Sequence, residues 1–213
     1  FEPYSDMLRV SLLSLCQTGP DEVFRMQNGA NEIAKIYAKA FNKLLTDSGL
    51  NYKNIRAIGA HGQTIRHNPQ IGASTQLING ALLAELTKTD VITDFRSRDL
   101  AAGGEGAPLV PAFHKWVLSG DVPRGILNIG GISNLTVLPE RGSDDEVLGF
   151  DCGPGNVLMD AWIEKVNHVR YDQDAVWARS GKVIPQLLES LKQEKFFSLV
   201  PPKLSLIHIS EPT

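Results

Sequence analysis

The sequence predicts a mixed α/β protein, and three observations support that class. Apolar residues recur at helical spacing in the first part of the chain, most clearly over 31–45. Short apolar runs then alternate with helical segments, which is typical of strands and helices packed in layers. Glycine clusters follow the ends of these runs, where α/β proteins bind their ligands. We therefore expect a layered fold with its binding groups on strand-end loops.

Composition excludes several classes of function. The chain has 213 residues, of which 42% are hydrophobic and 21% charged, as in an ordinary globular protein. Its net charge of −3 and pI near 6.0 indicate no basic surface for nucleic acid. No apolar run approaches the roughly 18 residues of a membrane span, and no signal peptide is visible. The two cysteines, Cys16 and Cys152, have no metal or disulfide spacing, which favours a reducing compartment.

The first part of the chain is predicted to begin with two helices. The first covers 3–16 with Ser5 as its N-cap, and the second covers 31–45 with Gly49 near its C-cap. The next elements are predicted as a buried strand, a helical segment and a second strand, over 55–60, 74–89 and 90–95 respectively.

The pattern changes after a loop at 96–112 and a helix at 113–120. Residues 125–139 are typical of a β-hairpin, 146–151 of a third strand, and a helix follows from Val157. Because three strands and a helix are how a new α/β domain begins, we predict a first domain over 1–123 and a second over 124–203. Residues 204–213 lack a capping element and are interpreted as a foreign tail.

Polar side chains follow both strands of the first domain. His61 and Gln63 come after the first strand, and Asp94 and Arg96 after the second. Arginine suits carboxylates and phosphates, so these residues are candidates for binding a polar substrate. A histidine that caps the strand end is the simpler interpretation of His61 alone. A salt-bridge network that only braces the loop is equally compatible with the second group.

The segment "NIGGISN" is a candidate for anion binding. Gly130 and Gly131 leave backbone N–H groups to face an anion, and Asn128 and Asn134 add neutral donors. The segment lacks the lysine and the following helix of a P-loop. An ordinary hairpin turn would also contain such a glycine pair.

The segment "GFDCGPGN" carries the strongest candidate, Asp151. We expect this acid to end its strand, where its carboxylate can take a proton from a hydroxyl group or water. Gly153 and Gly155 would let ligand atoms approach, and the helix N-terminus at Asn156 would attract an anion. A helix-capping acid is the alternative, although Asp151 lies several residues too early. The glycine-rich clusters together predict a polar cleft between two domains, which suits phosphoryl transfer.

Four motifs in this order resemble the anhydro-N-acetylmuramic acid kinase family: "AHGQTIRHNP", "DFRSRDLAAGGEGAPLVPAFH", "NIGGISNLT" and "GFDCGPGNVLMDAW". The resemblance implies the actin–hexokinase–heat-shock-70 fold, with two related domains around a nucleotide cleft. It implies ATP and Mg²⁺ as cofactors, an amino sugar as substrate, and a role in peptidoglycan recycling in the bacterial cytoplasm. Neither nucleic acid nor membrane is expected as a partner, while a homodimer is compatible with the resemblance.

The resemblance also implies roles for individual residues. Asp151 matches the general base that activates water to open the 1,6-anhydro bridge, while O6 takes the γ-phosphoryl group of ATP. The glycine-rich segments would bind the cofactor, and the strand-end residues of the first domain would bind the sugar. The cofactor set is Asn128, Gly130, Gly131, Gly153, Gly155 and Asn156. The sugar set is His61, Gln63, Asp94 and Arg96. No metal ligand is predicted.

Two departures from the family pattern lead to further expectations. The Gly-Thr-Ser-x-Asp-Gly loop that opens the family is missing, and so is the later part of its second domain, so we predict an internal fragment that is not a competent kinase. Cys152 stands where the family has threonine, and a thiol is the weaker hydrogen-bond partner. Two alternatives remain open: a glycoside hydrolase that pairs Asp94 with Asp151, and a non-catalytic sugar sensor.

Overall fold

A computed structural model describes residues 2–203, so the predicted foreign tail at 204–213 lies outside the described residues. The chain forms two compact units that divide between Ala107 and Pro108. This division lies upstream of Pro123, because the helix that precedes Pro123 packs within the second unit. The domain boundary near Pro123 stays a prediction. Each unit is described by itself below.

The first unit contains four α-helices and four strands in its described residues. The helices are α1 (Asp6–Leu15), α2 (Glu22–Ser48), α3 (Gly80–Thr87) and α4 (Ser97–Ala101). The strands are β1 (Ile58–Gly59), β2 (Gln63–Asn68), β3 (Ala73–Leu77) and β4 (Val91–Ile92). β1 pairs with β4 in parallel, and β2 pairs with β3 in antiparallel. The predicted mixture of helices and strands is confirmed.

The two N-terminal helices form as predicted, although α2 begins earlier than expected. The Ser5 hydroxyl accepts the Leu8 N–H at 3.2 Å and caps α1. α2 begins at Glu22 rather than near residue 31, and ends at Ser48 with Gly49 as its C-cap, at φ 68°. Both helices pack on the β2–β3 hairpin through one buried cluster. Its members are Leu8, Leu12, Leu15, Ile33, Ile65 and Leu77.

The prediction of one helical segment over 74–89 is wrong. Its first part is β3, whose Leu77 is buried against the helices. The helix α3 begins only at Gly80, where the Asn79 side chain accepts the Leu82 N–H at 2.9 Å. Burial of the hairpin outweighs local helical spacing here, since secondary structure depends on tertiary packing as well as propensity.

Two further boundaries differ from the prediction. The predicted loop at 96–112 contains the short helix α4 and the start of the next helix, α5 (Val110–Leu118). Pro111 lies in the first turn of α5, where its fixed φ favours a helix and its missing N–H costs no intrahelical bond. The prediction that α5 begins at Phe113 is therefore wrong by less than one turn.

The second unit is built on a three-stranded antiparallel sheet. Its strands are β5 (Arg124–Ile129), β6 (Ile132–Leu138) and β7 (Leu148–Pro154), in the order β5-β6-β7. The predicted hairpin around Gly130 and Gly131 is confirmed. The helices α6 (Val157–Asn167), α7 (Val176–Ser180), α8 (Pro185–Lys192) and α9 (Lys195–Ser198) follow.

The helix α5 covers one face of this sheet. His114 Nδ1 lies 2.9 Å from the Thr136 hydroxyl on β6. A Cβ atom on Gly149 would lie 2.4 Å from Cγ of Pro111, so glycine is needed where β7 meets the helix. None of the helices in the described part of the chain has both the length and the apolar character that crossing a bilayer requires.

Candidate active site

The polar residues predicted in the first unit lie around Arg96. Its Nε donates to Nε2 of His61 at 3.0 Å, and its Nη1 donates to the carbonyl oxygen of Gly106. Nδ1 of His61 lies 2.8 Å from the carbonyl oxygen of Gly62. The structure therefore brings together two of the four predicted sugar-binding residues, His61 and Arg96.

These contacts determine the protonation state of His61. A carbonyl oxygen can only accept, so Nδ1 carries the proton; an arginine Nε–H can only donate, so Nε2 is unprotonated. Burial, and then the positive charge of Arg96, lower the pKa of His61, while the Gly62 carbonyl acts in the opposite direction. His61 is thus a neutral acceptor that orients Arg96 and is not placed to exchange protons.

The backbone before β2 requires glycine. Gly62 has φ 73°, and a Cβ atom there would lie 2.5 Å from the carbonyl oxygen of Leu77. The close approach of the β3 backbone sets the turn that presents His61. Gly62 therefore makes the tight turn between β1 and β2.

Gln63 and Asp94 are placed differently from His61 and Arg96. Gln63 does not lie in a loop but begins β2, where its side chain is buried. Asp94 is exposed, and its Oδ1 accepts the backbone N–H of Ser97 at 3.3 Å and the Ser97 hydroxyl at 2.5 Å. The Asp94 carboxylate therefore braces the start of α4, and a role in sugar binding stays a prediction.

The loop after α4 is braced by Asp99. Its Oδ2 accepts the N–H of Gly106 at 2.8 Å, and its backbone oxygen accepts the N–H of Gly104 at 2.8 Å. The loop is braced, but these bonds are not the salt-bridge network considered above: one ends on the Asp99 carboxylate and the other on the Asp99 backbone oxygen. They hold the Gly106 carbonyl against Arg96.

In the second unit, three polar residues form one row across the sheet. Asn128 on β5 is directly opposite Asn134 on β6, and Asn134 is directly opposite Asp151 on β7. Directly opposed residues of antiparallel strands have their side chains on the same face. Asn128 is exposed, whereas Asp151 is 8% exposed. One acid side chain and two amide side chains therefore lie in a row on the same face of the sheet.

The expectation that Asp151 ends its strand is wrong, because β7 continues to Pro154. The pairs Asn134–Asp151 and Ser133–Gly153 leave Cys152 as an extra residue, which makes a β-bulge. A bulge bends its strand and redirects the neighbouring side chain. The Asp151 N–H also donates to the carbonyl oxygen of Lys203 at 2.9 Å. Asp151 is therefore held inside a paired strand next to an irregularity, and no short-range sequence signal predicted this.

The glycine turn and the α6 N-terminus are bonded to each other. The N–H groups of Gly155 and Val157 donate to the carbonyl oxygen of Gly131 at 2.7 and 3.2 Å, and that of Asn156 donates to Gly130 at 2.9 Å. These donors are directed at protein oxygens, so the expectation that the N–H of Asn156 faces an anion is not met. A role for this residue in cofactor binding stays a prediction.

Two glycines of this segment are explained by protein contacts. A Cβ atom on Gly155 would lie 2.0 Å from the carbonyl oxygen of Gly130, so glycine is needed there for the turn to approach the helix. Gly153 has φ 139°, and its Cβ position lies 3.0 Å from Cε1 of Phe197 on α9. Both positions were predicted to admit ligand atoms, but the structure places protein atoms there.

Within residues 2–203, no group of three or more His, Cys, Asp and Glu side chains is arranged to hold a metal ion.

A mixed α/β fold, an acid in a row of amides, and an arginine-centred polar cluster are together consistent with a sugar kinase. The family model described as "Anhydro-N-acetylmuramic acid kinase" matches residues 1–205. The chain therefore belongs to the anhydro-N-acetylmuramic acid kinase family, and the resemblance inferred from the four motifs is confirmed.

Curated relatives agree with this family. The chain is 54% identical over 204 residues to an anhydro-N-acetylmuramic acid kinase of Nitrosomonas europaea, covering 94% of this chain and 55% of the relative. It is 48% identical over 220 residues to one of Ralstonia nicotianae, covering 100% of this chain and 58% of the relative. A third relative, from Pseudomonas syringae, is 50% identical over 202 residues, covering 94% of this chain and 55% of the relative. The chain thus spans about half the length of the curated relatives it matches.

Proposed function

We propose that the protein containing this chain is an ATP-dependent kinase that opens 1,6-anhydro-N-acetylmuramic acid with water and phosphorylates its O6. The product is N-acetylmuramic acid 6-phosphate, and the reaction belongs to peptidoglycan recycling in the bacterial cytoplasm. The observation that carries this proposal is the family match over residues 1–205, together with relatives that bear the name of this kinase. The activity is proposed for a chain of the relatives' length.

In the proposed reaction, Asp151 is the general base. Its carboxylate takes a proton from water, and the water oxygen bonds to the anomeric carbon of the sugar. The bond from that carbon to the bridging oxygen, O6, breaks, and O6 keeps the electron pair. O6 would then bond to the γ-phosphorus of ATP while the bond from that phosphorus to the β-phosphate oxygen breaks and ADP leaves. The position of Asp151 in a paired strand supports this role, because a base must be held within hydrogen-bond reach of its water. Asn134 is the directly opposite residue of β6, and in the proposed site its amide would orient the same carboxylate.

ATP would supply the phosphoryl group, and the residues present fit it only in part. The amide of Asn128 is exposed at the end of the row and suits a phosphate oxygen. The N–H groups of Gly155, Asn156 and Val157 do not fit, since they already donate to the glycine turn. Mg²⁺ is usually held by one or two carboxylates together with substrate phosphates. The row described here contains one carboxylate, Asp151, and the proposed reaction uses it as the base, so the row provides no further carboxylate for Mg²⁺.

We further propose the actin–hexokinase–heat-shock-70 type of fold for this family member. The order of three antiparallel strands followed by a helix, β5 to β7 and then α6, supports it. An experimental structure of a chain with the relatives' length would test this, and a different strand order in either domain would contradict it.

The first experiment replaces Asp151 by Asn in a protein of the relatives' full length. We expect the rate of phosphoryl transfer from ATP to the anhydro sugar to fall by about 10² to 10⁴, because a general base contributes on that order. ATP binding should be retained. Asp160→Asn is the matched control, since Asp160 lies in the first turn of α6 outside the polar row.

The outcomes of this experiment separate the candidate functions. Unchanged turnover in Asp151→Asn would remove the proposed base. Opening of the anhydro sugar without ATP, lost in the same variant, would instead indicate a glycoside hydrolase. Sugar binding with no turnover in either form would indicate a sensor.

A further inference from the structure

Arg96 is a partly buried cation whose hydrogen-bond partners are neutral in the part of the chain that the structure describes. The guanidinium is half-buried and bonds to the ring of His61 and the carbonyl of Gly106. Arg66, in the same unit, provides the contrast: its Nη2 lies 2.7 Å from the carboxylate of Glu22. Arg66 therefore has a counter-charge among residues 2–203, whereas Arg96 has none within that range.

The surroundings of Arg96 make its positive charge less favourable in free energy than it is in water. Burial alone lowers the pKa of its guanidinium, and its charge contributes to lowering the pKa of both His61 and His67. Burial is the first cause of both histidine shifts, and the charge of Glu105 acts on the pKa of His67 in the opposite direction. Removing a cation from water without an opposite charge is unfavourable, so the site gains free energy when an anion binds.

The geometry leaves the guanidinium able to meet that anion. The bonds to His61 and Gly106 use Nε and one hydrogen of Nη1, which is only part of the planar set of donors. The hydrogens of Nη2 and the second hydrogen of Nη1 are left, and a neighbouring pair of such donors can bind a carboxylate through two parallel hydrogen bonds. The loop cannot easily turn away, since Asp99 ties the Gly106 N–H at 2.8 Å.

We propose that Arg96 binds the lactyl carboxylate of the anhydro-muramic acid and thereby distinguishes muramic acid from glucosamine sugars. The inference rests on the proposed function, which supplies a substrate with one carboxylate. His61 is a positioning residue in this arrangement, because it holds Nε while the opposite side of the guanidinium meets the substrate.

The test compares the acid with its methyl ester, which keeps the sugar ring and lacks the charge. In the full-length wild-type protein, we expect calorimetry to give a dissociation constant for the ester about tenfold to hundredfold higher than for the acid, as hydrogen bonds to charged groups contribute on that scale. Arg96→Met keeps the side-chain stem and should bind acid and ester equally. Arg96→Lys should keep a reduced preference for the acid.

Arg66→Met is the control for loss of a partly buried cation in the same unit. It should retain the preference for the acid, whatever it does to thermal stability. His61→Phe should raise the dissociation constant of the acid, while His61→Gln, which offers an acceptor oxygen to Nε, should restore binding. The KM for ATP should stay unchanged in Arg96→Met, since a nucleotide phosphate bound by Arg96 would raise it.

Several results would overturn the inference. Equal binding of acid and ester by the wild type would do so without any variant, as would a retained acid preference in Arg96→Met. If the wild type phosphorylates the sugar yet shows no preference, only the role of Arg96 fails. If it neither binds nor phosphorylates the sugar, the proposed function fails together with the inference.

Discussion

At the scale of single residues, His61 shows how two contacts decide the chemistry of a side chain. Its ring lies between a carbonyl that only accepts and a guanidinium that only donates, so the neutral form is required. A histidine after a strand is equally typical of a cap, an acid–base group or a metal ligand. The identity of its neighbours, which lie far away in the sequence, selects among these roles.

This arrangement makes stability depend on pH through His61. Its pKa in the folded state is lowered by burial and by Arg96 from an unfolded value near 6.5. Below that value the unfolded chain binds more protons than the folded one, so stability falls as the pH falls. We expect His61→Gln to reduce this dependence in urea unfolding between about pH 7 and pH 5. His67, whose pKa is lowered in the same direction, should account for part of the remainder. An unchanged pH dependence in His61→Gln would contradict the neutral assignment.

At the scale of elements, backbone hydrogen bonds join the glycine turn at Gly130 and Gly131 to the start of α6. Three N–H groups at the helix start donate to the two carbonyls of the turn, which satisfies donors that a helix cannot satisfy internally. The same bonds place the end of β7 beside the β5–β6 hairpin. The row from Asn128 to Asp151 therefore depends on a contact between two loops that the motifs present separately.

Gly155 is the residue on which that contact depends. Gly155→Ala places a Cβ atom 2.0 Å from the Gly130 carbonyl, so the turn and the helix must separate. We expect a loss of about 1–3 kcal/mol in the free energy of unfolding, as for other overpacked sites. Gly125→Ala is the control, because its Cβ would make an ordinary contact of 3.6 Å with Leu135. Urea unfolding should separate the two variants, and equal midpoints would refute this account.

At the scale of the whole molecule, each compact unit has its own structural basis. In the first unit, α1 and α2 bury one cluster against the β2–β3 hairpin, and Ile33 lies at its centre with no exposed surface. Arg66, on β2, joins the hairpin to α2 through Glu22. The stability of the β2–β3 hairpin, which begins at Gln63 just after His61, therefore depends on the packing of this cluster.

Ile33→Ala tests that dependence. We expect the free energy of unfolding to fall by about 2–5 kcal/mol, because the substitution removes buried methylene groups and leaves a cavity. Met7→Ala, at a side chain 84% exposed on α1, should change it by less than about 0.5 kcal/mol. A loss in Ile33→Ala no larger than that of Met7→Ala would show that the cluster does not stabilise the unit.

The candidate site was predicted unevenly from the sequence, and the reason is physical. Asp151, His61 and Arg96 could be singled out because polar groups after apolar runs are unusual and need a partner or a ligand. The β2–β3 hairpin could not be predicted in this way, because the sequence around Leu77 fits both a helical and a strand pattern. Only its tertiary packing selects the strand. The start of α2 was missed for a similar reason: Gly29 and its polar neighbours weaken the helical pattern.

By itself, the sequence determined the mixed α/β class, the family, the capped helix α1 and the glycine hairpin, because these depend on local spacing or on motifs that are read directly. Only the tertiary structure decided that Cys152 forms a bulge, that Asn134 lies opposite Asp151, and that Arg96 has neutral partners. Register and partner identity join residues distant in the chain, and they are set by which contacts leave the fewest buried polar groups unsatisfied.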